Sequence, residues 1–427
     1  DILCLTCGTR VESRGKTKVE VSMSHSKASA ERGWDFGLKD DDLVAFVKCS
    51  RVGDEPTEWQ AADLVQYLTV GEMREAYSAG RVKISEAKGA EEGFEVRVTW
   101  PTSLATADGM VVEVSDANIQ YRRHRDGRIL TLGRLKSGVQ LEPQIAVGER
   151  VTEGRFVASA VPVYLNVACR GGADEEYYTA LLASSSLSDR YTAAKALSRF
   201  DTDGSRSLLA SKLSDDADHI YVRLEAAAGI MRRNEGRGQA FIESCLESEY
   251  LEHRLEAVIL LGEVGSVDSY RLLLKTLNDS KQDPEIRAGG AWSIGELRER
   301  TSLDALVECF GAVDEPIRVE AARALAKLAS SFPDEVAARL GRTDPVRRPG
   351  VAWALSRLEH VEIERLIPEL VDEDARHWVA FVVGTHDPAK YVNAIEKLRQ
   401  TDGEVYFAVT VLWKILQSWV FGLDEHL

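Results

Sequence analysis

The chain has 427 residues, 44% of them hydrophobic, and a formal net charge of -16, enough material for two or three domains with buried cores. Nearly all of the acidic excess falls in residues 174–427, which excludes that part as a general binder of phosphate backbones or anionic membranes. No run approaches the roughly eighteen apolar residues of a membrane span, no secretory leader is visible, and six scattered cysteines do not read as a disulfide framework. A reduced, cytoplasmic protein is expected.

Residues 1–173 read as a β-rich domain, a sandwich or barrel. Alternating or β-branched runs lie at 2–6, 18–23, 43–49, 81–84, 94–100, 110–114, 118–122, 129–132 and 156–167, separated by turn signals such as Lys88-Gly89, Asp108-Gly109, Asp126-Gly127 and Ser137-Gly138. Asp126-Gly127 predicts a two-residue type I′ hairpin turn, because Asp-Gly tolerates positive φ. A helical insertion is expected near 58–80: Ala61, Leu64, Val65 and Leu68 have helical spacing, and Met73, Ala76 and Tyr77 continue a second helix after Gly71. No family is recognisable in this part.

Three features here could carry chemistry. Cys4-x-x-Cys7 has the spacing of half a zinc knuckle or of a redox pair, but no second close Cys or Cys/His pair follows, so buried, inert cysteines are the expectation and the two are only weak metal candidates. The densest positive patch of the chain is a hairpin carrying Tyr121, Arg122, Arg123, His124, Arg125 and Arg128, with Arg134 and Lys136 beyond. Strand alternation sends Arg122 and His124 to one face and Arg123 and Arg125 to the other. Such a patch could seat a phosphate or the acidic face of another protein, or be a solvated tip whose arginines neutralise nearby acids. Asp40-Asp41-Asp42, before an apolar run, reads as a turn rather than a cation site, since it lacks ligand periodicity.

Residues 174–427 repeat. Segments starting at Arg190, Arg223, Arg254, Arg287, Arg318, Arg348 and Arg376, and more loosely at Tyr406, lie about 28 to 33 residues apart, a solenoid period. Three, four and seven residues after each start the residue is small or apolar, as in Ala226, Ala227, Ile230 and Gly290, Ala291, Ile294. Each unit reads as two helices, the second richer in large apolar residues such as Leu272, Leu273 and Leu277. An acid and often a proline precede the first helix, as at Asp283-Pro284, Glu315-Pro316 and Asp344-Pro345, which suits an N-cap followed by Pro in the first turn.

The run DPEIRAGGAWSIG from Asp283 to Gly295 resembles the HEAT-like repeat of the phycobilisome-lyase type, and the resemblance extends over about residues 174–427. It implies an α-α solenoid of about seven to eight repeats. It also implies that the recurring Arg and the acids before it form a structural ladder of charged hydrogen bonds between stacked repeats, here Arg223, Arg254, Arg287, Arg318, Arg348 and Arg376. These arginines are then structural rather than catalytic. As to function the resemblance is broad, since such repeats occur in lyases, scaffolds and regulatory subunits.

Trp292 and Trp353 share one position, five after the Arg, on a flank away from the small-residue stripe. They are candidate anchors for a protein partner, or fillers between adjacent helices. The apolar end VLWKILQSWVF is expected to fold Trp413, Trp419 and Phe421 back on the last repeat, the alternative being that they dock against another chain.

No P-loop, dinucleotide fingerprint, HExxH or nucleophile elbow is present, and no cofactor is expected. The first expectation is therefore a non-enzymatic scaffold or adaptor that binds a protein through its solenoid, with an appended β domain. An alternative is a nucleic-acid-associated subunit that touches phosphates only through the basic hairpin 121–136. A third is a lyase-like or small-molecule-binding HEAT protein, suggested by the resemblance alone.

Overall fold

The computed structural model describes residues 1–386 apart from 17–19, 27–32, 52–58, 87–94, 359–360 and 367–371, and only isolated positions beyond 386. Two compact units divide the chain, residues 1–196 and 197–427.

The first unit runs β1 (Ile2–Leu3), β2 (Arg10–Lys16), β3 (Val21–Ser26), β4 (Leu43–Arg51), β5 (Trp59–Thr69), α1 (Val70–Ser78), β6 (Lys83–Glu86), β7 (Glu95–Trp100), β8 (Thr102–Leu104), β9 (Gly109–Val114), β10 (Asn118–Arg123) and β11 (Ile129–Gly133). The short strands β12 (Leu135–Lys136), β13 (Val139–Gln140), β14 (Glu142–Pro143) and β15 (Arg150–Val151) follow, then β16 (Phe156–Ser159), α2 (Glu175–Leu182) and α3 (Leu187–Leu197). The sheets have the orders β1-β2-β4-β5, β3-β7-β6, β14-β16-β8 and β11-β10-β9-β15, with a β12-β13 ribbon. Among the described residues none closes on itself, so the sheets form no barrel.

The apolar run of β4 explains its central place. Leu43, Val44, Ala45 and Phe46 are all buried, as a strand covered on both faces requires. It pairs parallel with β2, Val11 opposite Leu43, and antiparallel with β5, Leu43 opposite Thr69. This pairing overturns the first helix of the insertion expected near 58–80, while the second forms. Residues 59–69, with Ala61, Leu64, Val65 and Leu68, are a strand, and only Val70–Ser78 is helical. The apolar spacing fitted both periods, but Gln66 and Leu68 alternate inward and the ladder to β4 satisfies the backbone. Gln66 then ties two sheets: its Oε1 accepts from the Phe156 amide at 2.7 Å and its Nε2 donates to the Gly154 carbonyl at 3.0 Å. Thr69 caps the helix by accepting from the Glu72 amide at 3.2 Å.

The core of this unit centres on Trp100, fully buried, whose Nε1 donates to the Met73 carbonyl at 3.0 Å and whose ring meets Trp34 edge-on at 4.8 Å. The β10–β11 hairpin forms as expected, Arg122 opposite Ile129, but its turn is not the two-residue type I′. The Gly127 amide donates to Arg123 O at 2.9 Å, and Gly127 (φ 70°) is the residue of the turn at positive φ. Asp126 is not at positive φ; its carboxylate is engaged within the turn, as described below.

The second unit continues in helix pairs: α4 (Asp203–Leu213), α5 (Ile220–Met231), α6 (Gly236–Leu246), α7 (Leu251–Val264), α8 (Val267–Asn278), α9 (Pro284–Leu297), α10 (Leu303–Glu308), α11 (Glu315–Ser331), α12 (Pro333–Arg342), α13 (Arg348–Ser356), α14 (Ile363–Leu366) and α15 (Glu373–Gly384). The first helices of successive repeats, α5, α7, α9, α11, α13 and α15, pack in sequence on one another, and their small-residue stripe is buried: Ala257, Val258 and Leu261, then Ala291 and Ile294, then Ala321 and Leu325. Close approach is what the small residues permit. A Cβ on Gly295 would stand 2.8 Å from Ala324 Cα. Asp283 caps α9 by accepting from the Glu285 amide at 2.9 Å, with Pro284 in the first turn. Asp344-Pro345 differs from that expectation, because α13 begins only at Arg348 and Asp344 instead closes the preceding turn on the Val346 amide at 2.9 Å.

Candidate functional site

In the basic hairpin the described geometry separates a structural half from an exposed half. Tyr121 is fully buried and its hydroxyl accepts from the Thr106 amide at 3.0 Å, so it is a core residue and not part of a phosphate seat. Arg123 Nε donates to Asp126 at 2.9 Å, and the guanidinium and carboxylate are ion-paired. The Arg123 hydrogen bond, followed by the Arg128 amide, holds the Asp126 carboxyl down at about 2. Arg134 is buried and donates to the carbonyls of Leu141 at 2.9 Å and Ser115 at 2.7 Å. Lys136 donates to the Thr102 carbonyl at 2.7 Å. What remains for a ligand is Arg122, His124, Arg125 and Arg128, all exposed.

The three consecutive acids each meet a different arginine. Asp40 pairs with Arg74 at 2.6 Å, Asp41 with Arg170 at 3.4 Å and Asp42 with Arg10 at 2.7 Å. They neutralise arginines rather than forming a cation site, in keeping with the turn expected there.

In the solenoid the recurring arginines reach backwards. Arg223 Nε donates to the Leu213 carbonyl at 3.2 Å, Arg287 Nε to Leu277 at 3.0 Å and Arg348 Nε to Leu340 at 2.9 Å. Arg318 donates to Ala312 at 2.7 Å and Val313 at 2.6 Å. Each guanidinium thus sits at the C-terminal end of the preceding helix or its following turn, where unpaired carbonyls and the negative dipole end favour a cation. Arg254 does the same through a relay: it donates to Gln282 Oε1 at 3.1 Å, and Gln282 Nε2 donates to the Leu246 carbonyl at 3.0 Å. Beside these carbonyl contacts, Arg223 also pairs with Asp216 at 2.7 Å. At Arg348 the next repeat does supply acids, Asp372 at 3.4 Å and Asp374. Arg376 lies in the first turns of α15, its amide donating to the Asp372 carbonyl at 3.1 Å.

Trp292 on α9 is 38% exposed, with Lys327 Nζ 5.6 Å from its ring centroid and ion-paired to Glu296. Trp353 on α13 is half-buried under Arg357, 4.8 Å from its ring. Trp413, Trp419 and Phe421 lie outside the described residues.

Two clusters escape a reading of the sequence. Arg199, Arg206, Arg232 and Arg233 line a cleft of about 360 Å³ in the second unit. Burial and the neighbouring Arg199 depress Arg232, while Asp201, Glu235 and Glu263 offset the positive charge. In the first unit Cys169 joins Cys4 and Cys7, and the three sulfurs lie within 4.8 Å of one another. Partial burial raises the Cys7 thiol, but hydrogen bonds with Thr9, Cys4 and the Arg170 amide outweigh it and bring it to about 7. The only sequence signal for this cluster was the Cys4-x-x-Cys7 spacing; nothing local marks Cys169.

Residues 238–326 and 276–356 match the family described as HEAT repeats, so the solenoid carries HEAT repeats over 238–356. A comparison with curated proteins finds no match. Among solved structures, the complex of CpcE and CpcF of phycocyanin lyase from Nostoc sp. PCC7120 is similar over 59% of this chain and 97% of its own, at 16% identity and a TM-score of 0.28. Human deoxyhypusine hydroxylase in complex with glycerol is similar over 50% of this chain and 85% of its own, at 15% identity and a TM-score of 0.22. An engineered protein matches at 20% identity, over 57% of this chain and 97% of its own, with a TM-score of 0.25.

Proposed function

We propose that the protein is a non-enzymatic adaptor whose HEAT solenoid grips a protein partner, with the β-rich unit as an appended module. The observation that carries this is the run of HEAT repeats at 238–356, whose first helices bury their small stripe while leaving Trp292 partly exposed. Solenoids of this kind present long surfaces in which each repeat touches only its neighbours. Partly exposed tryptophans flanked by cations are suited to act as anchors. The net charge of -16 favours a partner with a neutral or basic face. No helix of the described residues is long and apolar enough to cross a membrane.

The test is affinity purification of the full chain from its native host at that host's salt, followed by rebinding of the purified companion. A stoichiometric protein whose affinity falls at least about tenfold with Trp292→Ala or Trp353→Ala supports the adaptor reading. An eluate without protein but rich in nucleic acid would sink it.

The exposure of Arg122, His124, Arg125 and Arg128 favours one second reading, contact with phosphates through the hairpin. Under it, binding falls steeply with salt and is lost in Arg125→Ala/Arg128→Ala. A lyase-like role would instead announce itself as an absorbing ligand on the purified protein.

A further inference from the structure

The segment before β2 is a tight hairpin, and its turn is Cys4-Leu5-Thr6-Cys7-Gly8. The Cys4 amide donates to the Thr9 carbonyl at 2.9 Å and the Gly8 amide to the Cys4 carbonyl at 2.8 Å. Gly8 sits at φ 72°, and a Cβ there would also meet the Tyr177 ring at 3.0 Å, so the turn needs glycine on both counts. A distant stretch is fastened across this turn. The Ala173 amide donates to Thr6 O at 3.0 Å and the Tyr178 hydroxyl to Leu5 O at 3.0 Å, while Arg170 ties the same stretch to Asp41 O, ahead of β4, at 3.1 Å.

These fastenings bring Cys169 to the cysteine turn. Its sulfur lies 3.7 Å from that of Cys4, and all three sulfurs fall within 4.8 Å of one another. A disulfide would need about 2.0 Å. Three sulfurs at about 2.3 Å from a tetrahedral zinc ion stand about 3.8 Å apart, which is close to the 3.7 Å between Cys4 and Cys169.

We propose that Cys4, Cys7 and Cys169 form a three-thiolate site for one divalent cation of the zinc class. Among the described residues no further His, Cys, Asp or Glu joins the cluster, so a water or an outside group fills the fourth position, on the side where Cys169 is exposed. Binding converts the three thiols to thiolates and releases their protons. The ion then staples the hairpin to the segment ahead of α2, in addition to the hydrogen bonds from Ala173 and Tyr178 to the turn. This site is independent of the adaptor reading.

The experiment is an anaerobic titration of the full chain, reduced and stripped with a chelator, first with Co²⁺ and then with Zn²⁺. One equivalent of Co²⁺ should raise an intense sulfur-to-cobalt charge-transfer band with visible bands of tetrahedral geometry, and Zn²⁺ should bleach both. Zinc should also protect three of the six cysteines from a thiol reagent. Cys169→Ser should weaken zinc binding at least about tenfold and lower the charge-transfer intensity by about a third, whereas Cys49→Ser should change neither. A wild-type chain with no charge-transfer band, or with equal thiol reactivity with and without zinc, overturns the proposal. So does a Cys4–Cys169 disulfide in protein that takes up no cobalt once reduced, which would make the cluster a redox pair. Should Cys169→Ser fail to fold, the wild-type titration alone decides.

Discussion

Asp42 and Arg10 form a buried pair held at several points. The carboxylate accepts from Arg10 Nε and from the Arg10 amide, both at 2.8 Å, and lies 2.7 Å from the far end of the guanidinium. The side chains are only 2% and 11% exposed. Asp42 also accepts from the Lys39 amide at 2.7 Å, and Arg10 also donates to Ser188 at 2.7 Å. The pair thereby joins the start of β2, the turn before β4 and the helix α3.

Removing Asp42 leaves Arg10 buried with, among the described residues, only the longer ion pair to Asp189 at 3.4 Å, which is costly even where a pair contributes little net stability. Asp42→Ala should destabilise the first unit by about 3 kcal/mol, and Asp42→Asn, which keeps an acceptor for the two amides, by less. Urea unfolding followed by tryptophan fluorescence measures both, the transition to which Trp34 and Trp100 contribute being that of the first unit. Equal stability of Asp42→Ala and wild type would show the pair to be idle.

Tyr121 gives a test that separates packing from ligand binding. Its hydroxyl serves the Thr106 amide, so Tyr121→Phe removes that bond from a part-buried site and should cost about 1 kcal/mol. Any anion affinity of the hairpin should stay unchanged. A loss of anion binding without loss of stability would return Tyr121 to the ligand side.

The close contact of α9 with α11 should tolerate no side chain at Gly295. The added methyl of Gly295→Ala would press on the Ala324 backbone, and overpacking of this kind costs about 1 to 3 kcal/mol. Thermal melts of the full chain report it, with the solenoid's far-ultraviolet signal as the probe. A variant as stable as wild type would mean that the repeats can slide apart freely.

Alkaline pH should weaken the second unit through Cys309. Burial pushes this thiol from 9.0 up to about 11, and it donates to the Ala305 carbonyl at 3.2 Å. The folded chain therefore keeps a proton that the unfolded chain surrenders at lower pH. The stabilisation is whole below pH 9 and is lost as pH rises through about 11. The loss amounts to about 3 kcal/mol. Unfolding midpoints from pH 8 upward should fall more steeply for wild type than for Cys309→Ala, the difference cancelling other alkaline groups. Parallel curves would remove Cys309 from the account.

What the sequence by itself determined was the part whose interactions are local. The helix spacing at Ala226, Ala227 and Ile230 recurs at Gly290, Ala291 and Ile294. Asp283 caps the helix it precedes, and Arg287 reaches a carbonyl ten residues back. The Asp126-Gly127 reversal was equally legible, though not the form of its turn. Tertiary structure decided the rest, because there the partner lies far along the chain. Residues 59–69 carry a spacing that suits helix and strand alike, and only the edge offered by β4 selects the strand. The hairpin's positive run lists eight cationic or aromatic groups without saying that Tyr121 is core and Arg123 already paired. Cys169 stands 165 residues from Cys4, and no local pattern can foretell that hydrogen bonds from Ala173 and Tyr178 will lay it beside that turn. Periodicity reports which face of an element is buried; it does not report what the buried face meets.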